Sequence, residues 1–182
     1  MWAYWNLFQF TWRKKLLGFE YANVFLQRVD KRSAVLILRK NGARIGEDCD
    51  IESGLTFHNC TDYANLQVGR NCHIGKNCFF DLRGAIVLED NVVVSMRCNF
   101  ITHIDLSKSP LSELYPSTTG DIRLRENCYL GVSSTILKGV TIGKDAFVGA
   151  NTLVLNSVPA RTLVGGVPAR KIKEIGVEAI QR

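Results

Sequence analysis

Leu124-Arg-Glu-Asn-Cys-Tyr, Leu130-Gly-Val-Ser-Ser-Thr, Ile136-Leu-Lys-Gly-Val-Thr, Ile142-Gly-Lys-Asp-Ala-Phe, Val148-Gly-Ala-Asn-Thr-Leu, Val154-Leu-Asn-Ser-Val-Pro: from Leu124 to Pro159 every sixth residue is a branched aliphatic. Four residues after each stands something small or β-branched, namely Cys128, Ser134, Val140, Ala146, Thr152 and Val158. Neither a helix nor an ordinary strand has a period of six. A chain that turns a corner after each short strand does, because equivalent residues of successive faces then all point inward. The stretch therefore predicts an all-β solenoid, a parallel β-helix built from hexapeptides, with the aliphatics filling the interior and the small residues where it is tight.

Outward from this stretch the same register is present, with breaks. Ile45, Ile51, Phe57 and Tyr63 are six apart; after a slip of one residue it resumes at Val68, Ile74, Phe80 and Ile86; two extra residues at Val87 then move it to Leu88, Val94 and Phe100. Such slips place bulges or wide corners on the surface without interrupting the stack. Gly46, Gly69, Gly75, Gly131, Gly143 and Gly149 directly follow repeat aliphatics, where glycine permits corner dihedrals or the close approach of another segment. Five of the six cysteines (Cys49, Cys72, Cys78, Cys98 and Cys128) fall at the small inward position and read as core packing. Only Cys60 is out of register, and without a Cys-x-x-Cys pair neither a zinc-finger spacing nor a disulfide framework is indicated. The repeat stops at Phe100-Ile-Thr-His-Ile-Asp. Residues 104–122 are polar and turn-rich, and a long excursion from a solenoid is usually functional. It begins immediately after His103.

The chain has 182 residues, 46% of them hydrophobic and 22% charged, as expected of one ordinary domain with an appended element. No apolar stretch approaches the roughly 18 to 20 residues that span a bilayer, and the basic cluster Arg13-Lys14-Lys15 follows rather than precedes the first apolar residues, the reverse of signal-peptide order. The expectation is a cytoplasmic protein. Residues 1–44 carry nine basic and two acidic side chains, +7 in a chain whose net charge is +6, so the basic character is local. This segment is rich in aromatics, lacks the six-residue register and reads as one or two helices, with Phe19, Ala22, Val24, Phe25, Leu26 and Val29 on one face. Two roles suit it: a helical cap on the open end of the β-helix, which otherwise presents unpaired edges, or a contact of residues 1–40 with the inner face of an anionic membrane. No groove-reading or stacking motif accompanies the charge, so a nucleic-acid partner is not expected.

Tyr129-Leu-Gly-Val, Lys138-Gly-Val-Thr-Ile-Gly-Lys, Phe147-Val-Gly-Ala-Asn, Ser157-Val-Pro and Gly165-Gly-Val-Pro-Ala-Arg resemble the C-terminal half of hexapeptide-repeat acyltransferases, with the nearest likeness to the maltose, galactoside and polysaccharide O-acetyltransferases. The resemblance runs from about Ala43 to Lys173. It implies a left-handed parallel β-helix (residues 45–168), an N-terminal helical segment (1–44), a short C-terminal helix (169–182), a homotrimer, and acetyl-CoA as co-substrate in a groove between subunits. It also implies that His103, just before the extended loop, is the general base. Acetyl transfer to an alcohol requires the hydroxyl proton to leave as the oxygen attacks, and an imidazole titrates in the range needed to take it. By position in the family's motifs, Gly131, Val132, Gly149 and Ala150 would line the pantetheine groove, and Arg170 and Lys173 would lie near the nucleotide phosphates, whose oxygens accept charge-assisted hydrogen bonds. Asp81, His58 and Asp105 are candidates for supporting His103 or binding the carbohydrate acceptor. Departures are Ile104 where maltose-type enzymes have proline, Tyr129 for a tryptophan, and Asn156 for a basic residue. Alternatives on the same scaffold are an amino-sugar N-acetyltransferase, a non-catalytic trimeric scaffold, and a γ-carbonic-anhydrase-like zinc protein. That zinc site needs three imidazoles, and this chain's three histidines (58, 73 and 103) lack the closely spaced pair. No metal is expected.

Overall fold

A computed structural model describes residues 2–176. Short strands visit three parallel sheets in strict rotation, each strand pairing with the equivalent strands one circuit earlier and later. The first face holds Arg44–Ile45, Leu66–Val68, Ile86–Leu88, Ile122–Leu124 and Thr141–Ile142. The second holds Asp50–Ile51, His73–Ile74, Val93–Val94, Tyr129–Leu130, Phe147–Val148 and Thr162–Gly165. The third holds Thr56–His58, Phe79–Asp81, Asn99–Ile101, Thr135–Leu137 and Leu153–Val154. A parallel chain that returns to each sheet every third strand is a three-sided coil. Its interior is what the six-residue period predicts: all six aliphatics from Leu124 to Val154 are fully buried, as are Cys128 and Ser134, with Val140, Ala146, Thr152 and Val158 at 5% exposure or less. Cys72, Cys78 and Cys98 are buried too, whereas Cys49 and Cys60 are half-buried.

The corners explain two other sequence features. Asp48, Asn71, Asn77, Asn91, Asn127, Asp145 and Asn151 all have φ between 52° and 63°, the left-handed region that Asn and Asp tolerate best among residues with a Cβ. Four of them form a ladder along one edge, each asparagine amide donating to the next coil: Asn71 to Asn91 at 2.9 Å, Asn91 to Asn127 at 3.1 Å, and Asn127 to Asp145 at 2.8 Å. The repeat glycines serve close approach rather than unusual dihedrals. A Cβ on Gly131 would lie 2.5 Å from the Ala150 nitrogen, closer than real Cβ atoms come.

Three helices precede the coil, α1 (Trp2–Leu17), α2 (Phe19–Leu26) and α3 (Lys31–Lys40). Gly18, at φ 90°, separates the first two, and Asp30 caps the third by accepting from the Arg32 and Ser33 amides. The expected apolar face is therefore divided between α2 and the turn after it; Ala22, Leu26 and Val29 are buried, but Val24 points outward. The helices satisfy the coil's first edge with side chains. Asn23 donates to the Phe57 carbonyl at 2.7 Å, and Arg39 to the carbonyls of Ile45 and Gly46 at 3.2 and 2.7 Å. An aromatic column continues from the helices into the coil through Phe19, Tyr63, Phe57, Phe80 and Phe100, with successive centroids 4.9 to 5.4 Å apart. Among the described residues no helix is long and apolar enough to cross a membrane.

The C-terminal end corrects an expectation. Instead of a helix from 169, Arg170–Glu174 forms a strand antiparallel to Thr162–Gly165; residues 177–182 lie outside the described residues. The last coil leaves an open sheet edge, and a turn with Gly166 at φ 96° folds the chain back to cover it.

Candidate active site

The register breaks converge. Ile45 to its partner Val68 is 23 residues, Val68 to Leu88 is 20, Leu88 to Leu124 is 36, and Leu124 to Ile142 is 18. With 18 as the plain coil, every excess falls in the same place, the corner between third and first faces, in three successive coils. The apparent slip of one residue near Tyr63 is thus a five-residue corner insertion. Tyr63 is not on a strand but is buried beneath the helices, its hydroxyl donating to Asn23 at 3.1 Å. From the stacked rings of Phe57, Phe80 and Phe100 the chain leaves the third face carrying His58 and Asn59, then Asp81 and Arg83, then Thr102 and His103. Stacking coils at the spacing of hydrogen-bonded strands brings these polar residues together.

At the centre is Asp81, 1% exposed. Its Oδ2 accepts from His103 Nδ1 at 2.5 Å and from the Thr102 amide at 2.8 Å, with the Thr102 hydroxyl also 2.8 Å away; Oδ1 accepts from Asn59 Nδ2 at 2.9 Å. Burial by itself would raise this carboxyl, but the donors His103, Asn59 and Thr102 outweigh it and hold it at about 2. An ionised carboxylate facing Nδ1 places the neutral ring's proton on that nitrogen. Nε2 is left with its lone pair directed away from Asp81, the arrangement of a base oriented by an acid. Thr102 is itself fixed by the Gly84 amide, which donates to its hydroxyl at 3.0 Å.

His103 opens on a cleft of about 440 Å³ lined by His58, Asn59, Arg83, Asp105, Lys108 and neighbouring loop residues. The excursion is tethered at its root, where His103 and Ile104 pair antiparallel with Thr119 and Thr118. Asp105 holds the first turn. Its carboxylate accepts from the Ser107 amide, Arg83 Nη1 and Ser117 Oγ, each at 3.0 Å, which lowers it well below the usual carboxylate range. His58 lies at the rim, its ring 6.0 Å from that of Phe79.

The residues assigned to the donor stand elsewhere. Gly131, Val132, Gly149 and Ala150 occupy the corner between second and third faces in adjacent coils, where the Gly131 amide donates to Val148 and that of Asn151 to Val132. Within one chain the whole third face separates them from His103. Arg170 and Lys173 both lie on the terminal strand but line different clefts, Arg170 one with Asn156, Ser157 and Ala169, and Lys173 one with Phe147 and Leu163. His73 lies on a second-face strand, its Nδ1 3.2 Å from Asp50 Oδ2, so the three imidazoles do not converge. Among the described residues no group of three or more His, Cys, Asp or Glu side chains is arranged to hold a metal ion.

Asn59, Thr102 and Arg83 were not singled out by sequence. Each lies two or three residues past a stacked phenylalanine, at a break in the register. Those breaks were the available signal.

A family model described as the hexapeptide repeat of succinyl-transferase matches residues 66–96 and 123–156. Over 174 residues the chain is 28% identical to galactoside O-acetyltransferase of Escherichia coli K12, an alignment covering 90% of this chain and 78% of that protein. A putative acetyltransferase of Staphylococcus aureus Mu50 is 31% identical over 63% of this chain and 58% of its own length. Among solved structures, galactoside acetyltransferase in complex with coenzyme A superposes with a TM-score of 0.73 at 21% identity, over 97% of this chain and 86% of that one. A mutant of the N-acyltransferase AntD from Bacillus cereus, in complex with dTDP and coenzyme A, gives 0.65 at 24% identity over 77% of each chain. These structural likenesses are of the fold. Together with the six-residue register and the three-sided coil, the matches show a chain similar to hexapeptide-repeat acetyltransferases and sharing their fold.

Proposed function

We propose that the protein is an acetyl-CoA-dependent O-acetyltransferase acting on a hydroxyl of a sugar or polysaccharide precursor, with the coil left-handed and the active unit a homotrimer. The observation that carries this reading is His103, oriented through Nδ1 by the buried Asp81 and presenting Nε2 to a cleft. Nε2 takes the acceptor hydroxyl proton as the oxygen attacks the thioester carbonyl. The tetrahedral intermediate collapses with loss of the CoA thiolate, and the imidazolium returns the proton to it. Asp81 stabilises the imidazolium without being protonated, as a carboxyl held at about 2 requires. A positioned base of this kind contributes about 10²- to 10⁴-fold. No acyl-enzyme is needed. Burial pushes the thiol of Cys128 up to about 12 and that of Cys72 to about 11, so these cysteines are not poised as nucleophiles.

The same geometry supports a trimer. Donor corner and base lie on different edges of the prism, so a thioester in the one reaches the other only across a subunit boundary. The outward side of the second face supports such packing, because Val93, Tyr129, Phe147 and Leu163 stand in one cross-strand row, Tyr129 and Phe147 stacked at 4.5 Å. The test is His103→Ala. Acetyl transfer to a panel of sugars should fall by at least 10²-fold, with acetyl-CoA binding retained and scattering still giving about 61 kDa, three times 20.4 kDa. Near-normal turnover would remove the mechanism, and a monomer would remove the shared site. In the same panel, amino sugars acetylated only on nitrogen would replace the hydroxyl acceptor.

A further inference from the structure

Helix α1 turns large apolar residues to solvent as well as to the core. The residues it buries are Asn6 and Phe10, and Asn6 is held there by hydrogen bonds to Ser33 Oγ at 2.9 Å and Asp30 Oδ2 at 3.3 Å. The side turned to solvent carries Trp2, Tyr4, Trp5, Phe8, Trp12 and Leu16, each more than half exposed. At 3.6 residues per turn, about 100° each, these six fall within one arc of about 160°, together with the exposed Lys15. Trp5 and Phe8 stack on each other at 5.6 Å within it. A cap needs only the inward side, so coverage of the coil does not account for the outward one.

We propose that this outward face of α1 lies in the headgroup region of an anionic lipid bilayer and holds the protein at a membrane surface. Three observations select this occupant. Tryptophan and tyrosine favour the boundary between water and hydrocarbon, where ring and polar atom are both accommodated. The charge is complementary, since residues 1–44 hold nine basic against two acidic side chains while the remainder of the chain is close to neutral. The dimensions also fit, because 16 residues fall short of the roughly 20 needed to span a bilayer but suffice for a helix lying in its plane. The inference is independent of the reaction at His103.

The chain's three tryptophans, Trp2, Trp5 and Trp12, all lie on this face, so intrinsic fluorescence reports on it alone. The experiment adds vesicles of phosphatidylcholine, with or without about 30 mol% phosphatidylglycerol, to the full-length protein and follows emission, acrylamide quenching and co-flotation. The expected result is solvent-exposed emission without lipid. With anionic vesicles the emission should shift to the blue and the protein float, and binding to phosphatidylcholine alone should be at least tenfold weaker. Trp5→Ser/Phe8→Ser/Trp12→Ser should lose at least tenfold in partition with unchanged circular dichroism, and Lys15→Glu at least fivefold, each unit of charge near the surface being worth about that factor. Unchanged emission and no flotation with anionic vesicles would overturn the proposal. So would emission already blue and protected without lipid, with the triple variant changing the oligomeric state, which would make a second copy of the chain the occupant.

Discussion

Replacing Asp81 by asparagine tests whether the carboxylate orients and charges the base or merely fills the corner. The substitution keeps the shape and one acceptor oxygen, which can remain at the Oδ2 position where His103, the Thr102 amide and the Thr102 hydroxyl converge. It removes the negative charge and turns a donor toward Asn59, whose side-chain amide can rotate to present its own oxygen. The carboxyl is held at about 2 against an ordinary 3.8, a difference worth about 2.5 kcal/mol. Were all of that withdrawn from the imidazolium formed as the hydroxyl proton moves, the rate would fall about 70-fold. Because His103 is only the first of several donors, the expected fall in kcat lies below that ceiling, at about 10- to 70-fold. The KM for acetyl-CoA should stay within about twofold, since that measure follows the donor corner and not the base. Release of the CoA thiol from acetyl-CoA in the presence of a sugar that wild type acetylates is the assay. Thr102→Val is the control; it removes a hydroxyl but leaves the Thr102 amide and the imidazole in place, so it should cost about 1 kcal/mol of stability and little kcat. A kcat for Asp81→Asn within about threefold of wild type would refute this account of the site, because a carboxylate that stabilises the imidazolium cannot be neutralised so cheaply.

The same carboxyl makes stability depend on pH. Its value is lower in the folded than in the unfolded chain, so its contribution of about 2.5 kcal/mol is complete above roughly pH 4 and is lost as the pH falls toward 2. Urea midpoints should fall less steeply over that interval for Asp81→Asn than for wild type, and parallel curves would contradict the assignment. Gly131→Ala should destabilise the coil by about 1 to 3 kcal/mol, as its Cβ would meet the Ala150 nitrogen at 2.5 Å with no flexible side chain to yield. Gly149→Ala, whose nearest neighbour would be at 3.3 Å, should cost distinctly less, and equal urea midpoints would show that the coil spacing adjusts.

His103 was legible in the sequence because the repeat stops beside it. Asn59 and Thr102 were not, because each is one polar residue at a break in the repeat, Asn59 before a short slip and Thr102 before the long loop, with nothing local to indicate what it meets. The breaks near 63 and 87 look like unrelated irregularities along the chain; they become one corner only when the coils are stacked. The helix expected to carry Arg170 and Lys173 is a strand, since the deciding factor was the unpaired edge of Thr162–Gly165 and not local preference.

By itself the sequence determined the coil and its contents. A six-residue period is local information, repeated until no other regular structure can bury the same side chains, and from Leu124 to Val158 it names the inward residues in advance. Only the tertiary structure decided what the corners do. Asp81 and Asn59 reach His103 across separations of 22 and 44 residues, distances set by insertion lengths and stacking register that no short stretch encodes. Outward residues such as Trp5 and Trp12 likewise carry no period that says whether they will be covered, because that depends on where α1 lands on the finished coil.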